Sequence, residues 1–124
     1  MAYEKLATLI VKLAEKTANG DIHWQETAQD GLFQASIANN TIQVRLVRGS
    51  TDGNIDDVMF TIFDSTGKEI EEFTDEDIKH YPVFGVENPY EVCKNIYETA
   101  KRQSVGSEEV INSIIEELDG IIPF

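Results

Sequence analysis

The spacing of apolar residues predicts a helix at the start of the chain. Between positions 3 and 19, large apolar side chains recur every three or four residues, as they do along one face of an amphipathic helix. This face consists of Leu6, Leu9, Ile10, Leu13 and Ala14. Asn19 and Gly20 follow, and a glycine at that position suits the left-handed conformation that ends many helices.

Apolar and polar residues alternate in the next half of the chain, which is typical of β-strands with one buried face. The alternation predicts strands over 22–27, 32–38, 41–48, 57–64 and 68–73. Short polar connections favour an antiparallel meander, with Asn39-Asn40 as one tight turn. We expect one sheet face to lie against the helices, with Phe33, Ile42, Val44, Phe60 and Ile62.

A second apolar set is predicted on the opposite face of the sheet. Its members are Leu32, Val47, Met59, Phe63 and Phe73. A sheet that is apolar on both sides is usually covered on both. Either helices or a second subunit could cover this face, and a homodimer is therefore left open.

Helical patterns return in the last third of the chain. Residues 74–77 fit a short capped turn, and Asn88-Pro89 begins a helix with Asn88 as its cap and Glu91 completing a capping box. The apolar face of that helix comprises Val92, Cys93, Ile96, Tyr97 and Ala100. Gly106-Ser107 separates it from a last helix, whose apolar face comprises Val110, Ile111, Ile114, Ile115 and Leu118.

The patterns together predict one α+β domain over residues 1–124. It has an N-terminal helix, an antiparallel meander of about five strands, and two C-terminal helices packed on the sheet. Gly120 is expected to end the last helix in the left-handed conformation. Residues 121–124 are then expected to dock on an apolar surface, because three large apolar side chains are unusual in a free end.

Three short patterns occur in a fixed order along the chain. They are LxxxTxxGxIxW over 13–24, DxxGKxI over 64–70 and IYxxAKRQ over 96–103. In this order they resemble a widespread type of small, uncharacterised bacterial protein. The resemblance spans most of the chain and implies a helix, a β-meander and C-terminal helices. It implies no activity, ligand or catalytic residue.

The charge balance narrows the choice of partners. With 23 acidic and 10 basic residues, the formal net charge is −13. Nucleic acid and anionic membranes carry the same sign, so neither is an expected partner, whereas a basic protein is favoured. High solubility is the simpler explanation of the same charge. The N-terminal apolar run is interrupted by Lys12 and Glu15, unlike a signal peptide, and we expect a cytoplasmic protein.

Much of the acidic charge falls in one stretch of the sequence. The candidate partner-binding residues, here called the acidic segment, are Asp64, Glu69, Glu71, Glu72, Asp75, Glu76 and Asp77. If they share a surface, they would steer a basic partner towards the protein. The alternative is a charged sheet edge, since charge also prevents edge-to-edge aggregation.

The residues typical of catalysis and metal binding form no convincing site. Cys93 lies on a predicted buried stripe, and the spacing associates neither His23 nor His80 with it. Residues 52–56 begin like a calcium loop, but Asp57 and Phe63 occupy the positions that require glycine and glutamate. The sequence therefore predicts no catalytic, cofactor or metal-binding residue.

The leading hypothesis is a small, acidic protein-interaction module without enzymatic activity. An immunity protein, an antitoxin or a nucleic-acid mimic would all fit this description. The alternative is an enzyme or small-ligand-binding protein with a pocket between the sheet and the C-terminal helices. His80, Tyr81 and Tyr97 would then line the pocket.

Overall fold

The structure is a computed structural model that describes residues 2–48, 56–81 and 88–121, without the side chains of residues 2, 107 and 108. The elements are α1 (Ala2–Ala18), β1 (Gln25–Glu26), β2 (Phe33–Ile37), β3 (Asn40–Arg48), β4 (Asp56–Phe63), β5 (Glu69–Thr74), α2 (Asp75–Ile78), α3 (Pro89–Ser104) and α4 (Ser107–Gly120). This order confirms the predicted α+β class, with an N-terminal helix, a five-stranded antiparallel sheet and C-terminal helices.

The first helix forms as its apolar periodicity predicts. Leu6, Ile10 and Leu13 are buried on one face, and Gly20 ends the helix with φ +80°. The Gly20 amide donates to the Thr17 carbonyl and the Asp21 amide to the Lys16 carbonyl, at 3.1 and 2.9 Å. These two bonds form a Schellman cap, which satisfies carbonyl groups that the end of a helix leaves unpaired.

The five strands follow one another in the sheet in chain order, β1-β2-β3-β4-β5, and every neighbouring pair is antiparallel. The turn between β2 and β3 places Ala38 and Asn39 at φ 52° and 67°. Two consecutive residues with positive φ are characteristic of the type I′ turn, whose twist matches that of the two strands it joins. The turn therefore lies one residue before the predicted Asn39-Asn40 pair. The first strand is also shorter than predicted, because Trp24 leaves the sheet to enter the core.

A continuous apolar row crosses the face of the sheet that lies against the helices. Phe33, Val44, Phe60 and Phe73 are direct cross-strand partners on β2, β3, β4 and β5, and all four are buried. The rings of Phe60 and Phe73 stack with centroids 5.5 Å apart. Cross-strand neighbours on one face are the main source of sheet stability, so this row organises the core.

The assignment of Phe73 to the opposite face is therefore wrong. A register shift between Ile62 and Phe63 leaves an extra residue in β5, so that Phe63 pairs with Glu69. A shift of one residue moves the following side chains to the other face of the sheet. Phe73 consequently faces Phe60 and is only 1% exposed.

The opposite face of the sheet is mixed in character. Its central row is polar, and Gln34, Gln43, Thr61 and Glu72 are successive cross-strand partners. Gln43 Nε2 donates to Gln34 Oε1 at 3.1 Å, and Thr61 Oγ1 donates to Glu72 Oε2 at 3.2 Å. Met59 and Phe63 flank this row and are partly buried.

Trp24 links the helices to the first strand. Its indole Nε1 donates to Thr17 Oγ1 on α1 at 3.3 Å, and its backbone amide donates to Gln103 Oε1 on α3. The ring is 3% exposed. The core that results contains α1 residues, α3 residues and the inner face of the sheet in one cluster.

Two predictions concern residues outside the described ranges. They are the calcium-like loop start at 52–55 and the docking of residues 122–124. The prediction for Gly120 can be corrected, because Gly120 lies within α4 and does not take a positive φ. Ile121 follows as the cap with φ −79° and is 58% exposed. Within the described residues, no helix combines the length and apolar content needed to cross a bilayer.

Candidate functional site

The last helix leaves the body of the protein at Gly106. Gly106 has φ +71° and separates α3 from α4, whose first turn lies beside the C-terminal ends of α1 and α3. There Glu109 lines a hollow of about 310 Å³ together with Thr99 and Gln103. Contacts of α4 with other described elements are chiefly those with α3. The helix is thus attached at its start and has little other support.

The apolar face of α4 is exposed along its whole length. We call this face the α4 stripe, which comprises Val110, Ile111, Ile114, Ile115 and Leu118. Their exposed fractions lie between 45% and 61%, whereas Ile96 on α3 is 1% exposed. Scattered surface hydrophobics are normal, but a contiguous apolar set on one helix marks an interaction surface. The α4 stripe is the candidate functional site.

Acidic residues surround the stripe. From residue 107 to 120 the sequence contains five carboxylates and no Lys, Arg or His. At roughly 100° per residue, the stripe covers about 140° of the helix circumference. Glu117 lies at one edge of this arc and Asp119 at the other, while Glu109 and Glu116 lie on the far side. All four side chains are exposed.

The acidic segment predicted from the sequence does not form one face. Glu71 and Glu72 are consecutive in β5 and therefore point to opposite sides of the sheet. Glu76 forms an ion pair with Lys79 at 2.9 Å, and Asp77 Oδ2 accepts from the Thr74 amide at 2.9 Å as part of the cap of α2. Most of these charges thus have local structural partners.

Asp64 organises the turn between β4 and β5. Its Oδ1 accepts from the amide and the hydroxyl of Thr66, at 2.9 and 2.6 Å, and from the Lys68 amide at 3.1 Å. These hydrogen bonds, led by the one from the Thr66 hydroxyl, lower the pKa of Asp64. The carboxylate is therefore a turn residue with three local donors.

Asp75 does not belong to an exposed acidic surface. It is 2% exposed, and its Oδ1 accepts from the Val58 amide at 2.8 Å. Burial raises the pKa of Asp75, the Val58 hydrogen bond lowers it, and the nearby charge of Asp57 raises it further. Buried carboxylates of this kind anchor a backbone segment, here the start of β4 against α2.

Asp57, Asp75 and Glu76 bring carboxylate oxygens within 4.8 Å of one another. Oxygen ligands of this kind suit hard cations such as calcium and magnesium. One oxygen of Asp75 is already engaged by the Val58 amide, so the group has a structural explanation. We assign no metal site to it.

The cleft that Tyr97 lines does not include the other two predicted pocket residues. Tyr97 lines a cleft of about 290 Å³ beside β2, with Glu26, Asp30 and Lys101 among the other lining residues. The side chain of His80 is exposed and Tyr81 packs at the edge of the core, and neither lines that cleft. The lining residues include no histidine or cysteine. The cleft therefore lacks the pairing of a nucleophile with a histidine base that is typical of nucleophilic catalysis.

Cys93 is a core residue, as its place on the apolar face of α3 predicted. It is fully buried, and burial strongly raises the pKa of its thiol. A protonated, inaccessible thiol is neither a nucleophile nor a metal ligand.

Comparison with models of protein families, with curated proteins and with solved structures finds no match to the chain. The apolar periodicity predicted the apolar face of α4 but not its exposure, because periodicity does not show what a helix packs against. The charged residues of α4 are all acidic, and this was the available signal of a different role.

Proposed function

We propose that the protein is a cytoplasmic protein-interaction module without enzymatic activity, and that the α4 stripe is the surface that contacts its partner. The observation that carries this proposal is the exposure of five large aliphatic side chains on one face of α4. Burying apolar surface contributes about 25 cal/mol per Å², so covering this face with a partner would contribute favourably to the free energy of binding.

The stability of α4 supports the same proposal. In water, isolated helices shorter than about 12–15 residues are marginal, and most helices in proteins are stabilised by packing of an apolar face. With 14 residues and an unpacked stripe, α4 lacks that stabilisation. Binding of a partner to the stripe would supply it.

The proposal can be tested by removing apolar surface without weakening the helix. Ile114→Ala with Leu118→Ala shortens two stripe residues, and alanine has the highest helix propensity. Asn112→Ala with Ser113→Ala is the matched control, because these exposed residues lie outside the stripe. We expect the wild type and the control to capture the same proteins from lysate of the source cells, and the stripe variant to lose them. The captured proteins are quantified by mass spectrometry.

A set of captured proteins that is identical for the wild type and both variants would contradict the role of the stripe. Circular dichroism of each variant shows whether helix content is retained. If helix content falls only in the stripe variant, single Ile114→Ala and Leu118→Ala variants repeat the comparison with smaller changes.

A further inference from the structure

We infer that the α4 stripe binds a basic amphipathic helix of a partner protein, an inference that rests on the proposed function and specifies the partner. The shape of the site supports a helix. Residues 110, 114 and 118 form one row along α4, and residues 111 and 115 form a second. Rows spaced by four residues form the ridges that interdigitate when two helices pack. The helix is about 21 Å long, which matches four turns of a partner helix.

Charge complementarity determines the sign of the charge on that partner. Glu117 and Asp119 border the stripe on its two sides, and α4 contains no Lys, Arg or His that could attract an acidic partner. A partner helix with Lys or Arg beside its own apolar face would place opposite charges along both edges. Such rim charges mainly increase the association rate and select against partners of the same sign.

The same charges argue against two other occupants. A second copy of the chain would bring five more carboxylates and no cation to an α4–α4 contact. Helices that lie on membrane surfaces carry Lys and Arg on the polar face, whereas the polar face of α4 contains none. A basic protein helix is the occupant whose charge fits.

Three synthetic peptides of 18 residues test this inference. The first is helical, with leucines on one face and lysines beside them; the second replaces the lysines with glutamates; the third has the composition of the first in an order without helical periodicity. Binding to the full chain is measured by fluorescence anisotropy. We expect the first peptide to bind at least tenfold more tightly than the second and the third.

Two pairs of variants locate the binding surface. Ile114→Ala with Leu118→Ala should weaken binding of the first peptide at least tenfold, and Asn112→Ala with Ser113→Ala should not. Glu117→Gln with Asp119→Asn should weaken it about fivefold, the effect of two exposed ion pairs. Glu109→Gln with Glu116→Gln removes the same charge from the far side of α4 and should change the affinity less than twofold.

Equal binding of the first and third peptides would overturn the inference, because net charge alone would then explain the binding. Equal effects of the two charge-removing pairs would overturn it as well. Two further results would each assign another occupant. One is a dimer in analytical ultracentrifugation that the stripe variant abolishes, and the other is stripe-dependent binding to phosphatidylserine-containing vesicles.

The failures of the two proposals can be distinguished. If lysate proteins are captured through the stripe while the basic peptide does not bind, the interaction module stands and the partner is of another class. If neither peptide binding nor capture depends on the stripe, both proposals fail.

Discussion

Replacement of Phe60 by alanine tests the organisation of the core. Phe60 is 0% exposed and lies between Val44 on β3 and Phe73 on β5 in the apolar row. Removing a fully buried phenylalanine ring costs about 3–5 kcal/mol, because it loses both transfer free energy and packing contacts. Domains of this kind have a total stability of roughly 5–15 kcal/mol, so the loss is a large part of it. We expect the melting temperature to fall by roughly 10–20 °C.

The measurement is urea denaturation followed by far-UV circular dichroism and by the fluorescence of Trp24, the single tryptophan. Coincident transitions would justify a two-state free energy of unfolding. Phe63→Ala is the matched control, since Phe63 is the same residue type on the opposite face of β4 and is only partly buried. It should cost about 1 kcal/mol.

The pairing of Phe60 with Phe73 can be measured separately. In a double-mutant cycle, Phe60→Leu and Phe73→Leu should show a coupling energy of about 0.5–1.5 kcal/mol, as expected of stacked aromatic rings. Additive effects would show that the two rings do not interact. Equal losses for Phe60→Ala and Phe63→Ala would refute the assignment of the buried face.

Two further predictions concern Asp75 and the glycines. Burial raises the pKa of Asp75 above the usual aspartate value of 3.8. As pH rises past 3.8, the folded state therefore holds its proton longer than the unfolded chain does. The contribution of this group to the free energy of unfolding is lost as pH rises further. Asp75→Asn keeps an acceptor for the Val58 amide and should be more stable than the wild type at pH 7 but not at pH 3, in urea titrations; lower stability at pH 7 would disprove this. Gly20→Ala should lower the free energy of unfolding by about 1 kcal/mol, because Gly20 has φ +80°; no atom lies near an added Cβ, so the cost comes from the backbone conformation alone. Gly120→Ala lies at a helical position and should increase helix content. Destabilisation by both substitutions would contradict the difference in backbone conformation.

The elements with strong local signals could be predicted from the sequence. Asn88 caps α3 through its side chain, which accepts from the Tyr90 amide at 2.9 Å, and Pro89 occupies the first turn as expected. Gly20 ends α1 in the left-handed conformation. These features depend on a few adjacent residues, so the sequence contains all the information that determines them.

Features that depend on distant residues could not be predicted in this way. The face of Phe73 depends on a register shift that alternation alone does not reveal. The burial of Asp75 depends on its contact with the Val58 amide, 17 residues earlier in the chain. The acidic segment was predicted from the density of acidic residues in the sequence, which does not show which of them are buried. In the structure Asp75 is buried, and Glu76 and Asp77 have structural partners. Replacing Asp75 by lysine would test folding and not partner binding.

The close packing of α1 against α3 has a consequence for synthesis on the ribosome. Antiparallel hairpins between successive strands involve short sequence separations and can form as each strand emerges. The apolar face of α1 is made first, but α3, against which it packs, ends only at Ser104. At about 5–20 residues per second, several seconds pass between the completion of these two helices. During that interval Leu6, Ile10 and Leu13 lack their final neighbours and form an exposed apolar surface on the nascent chain.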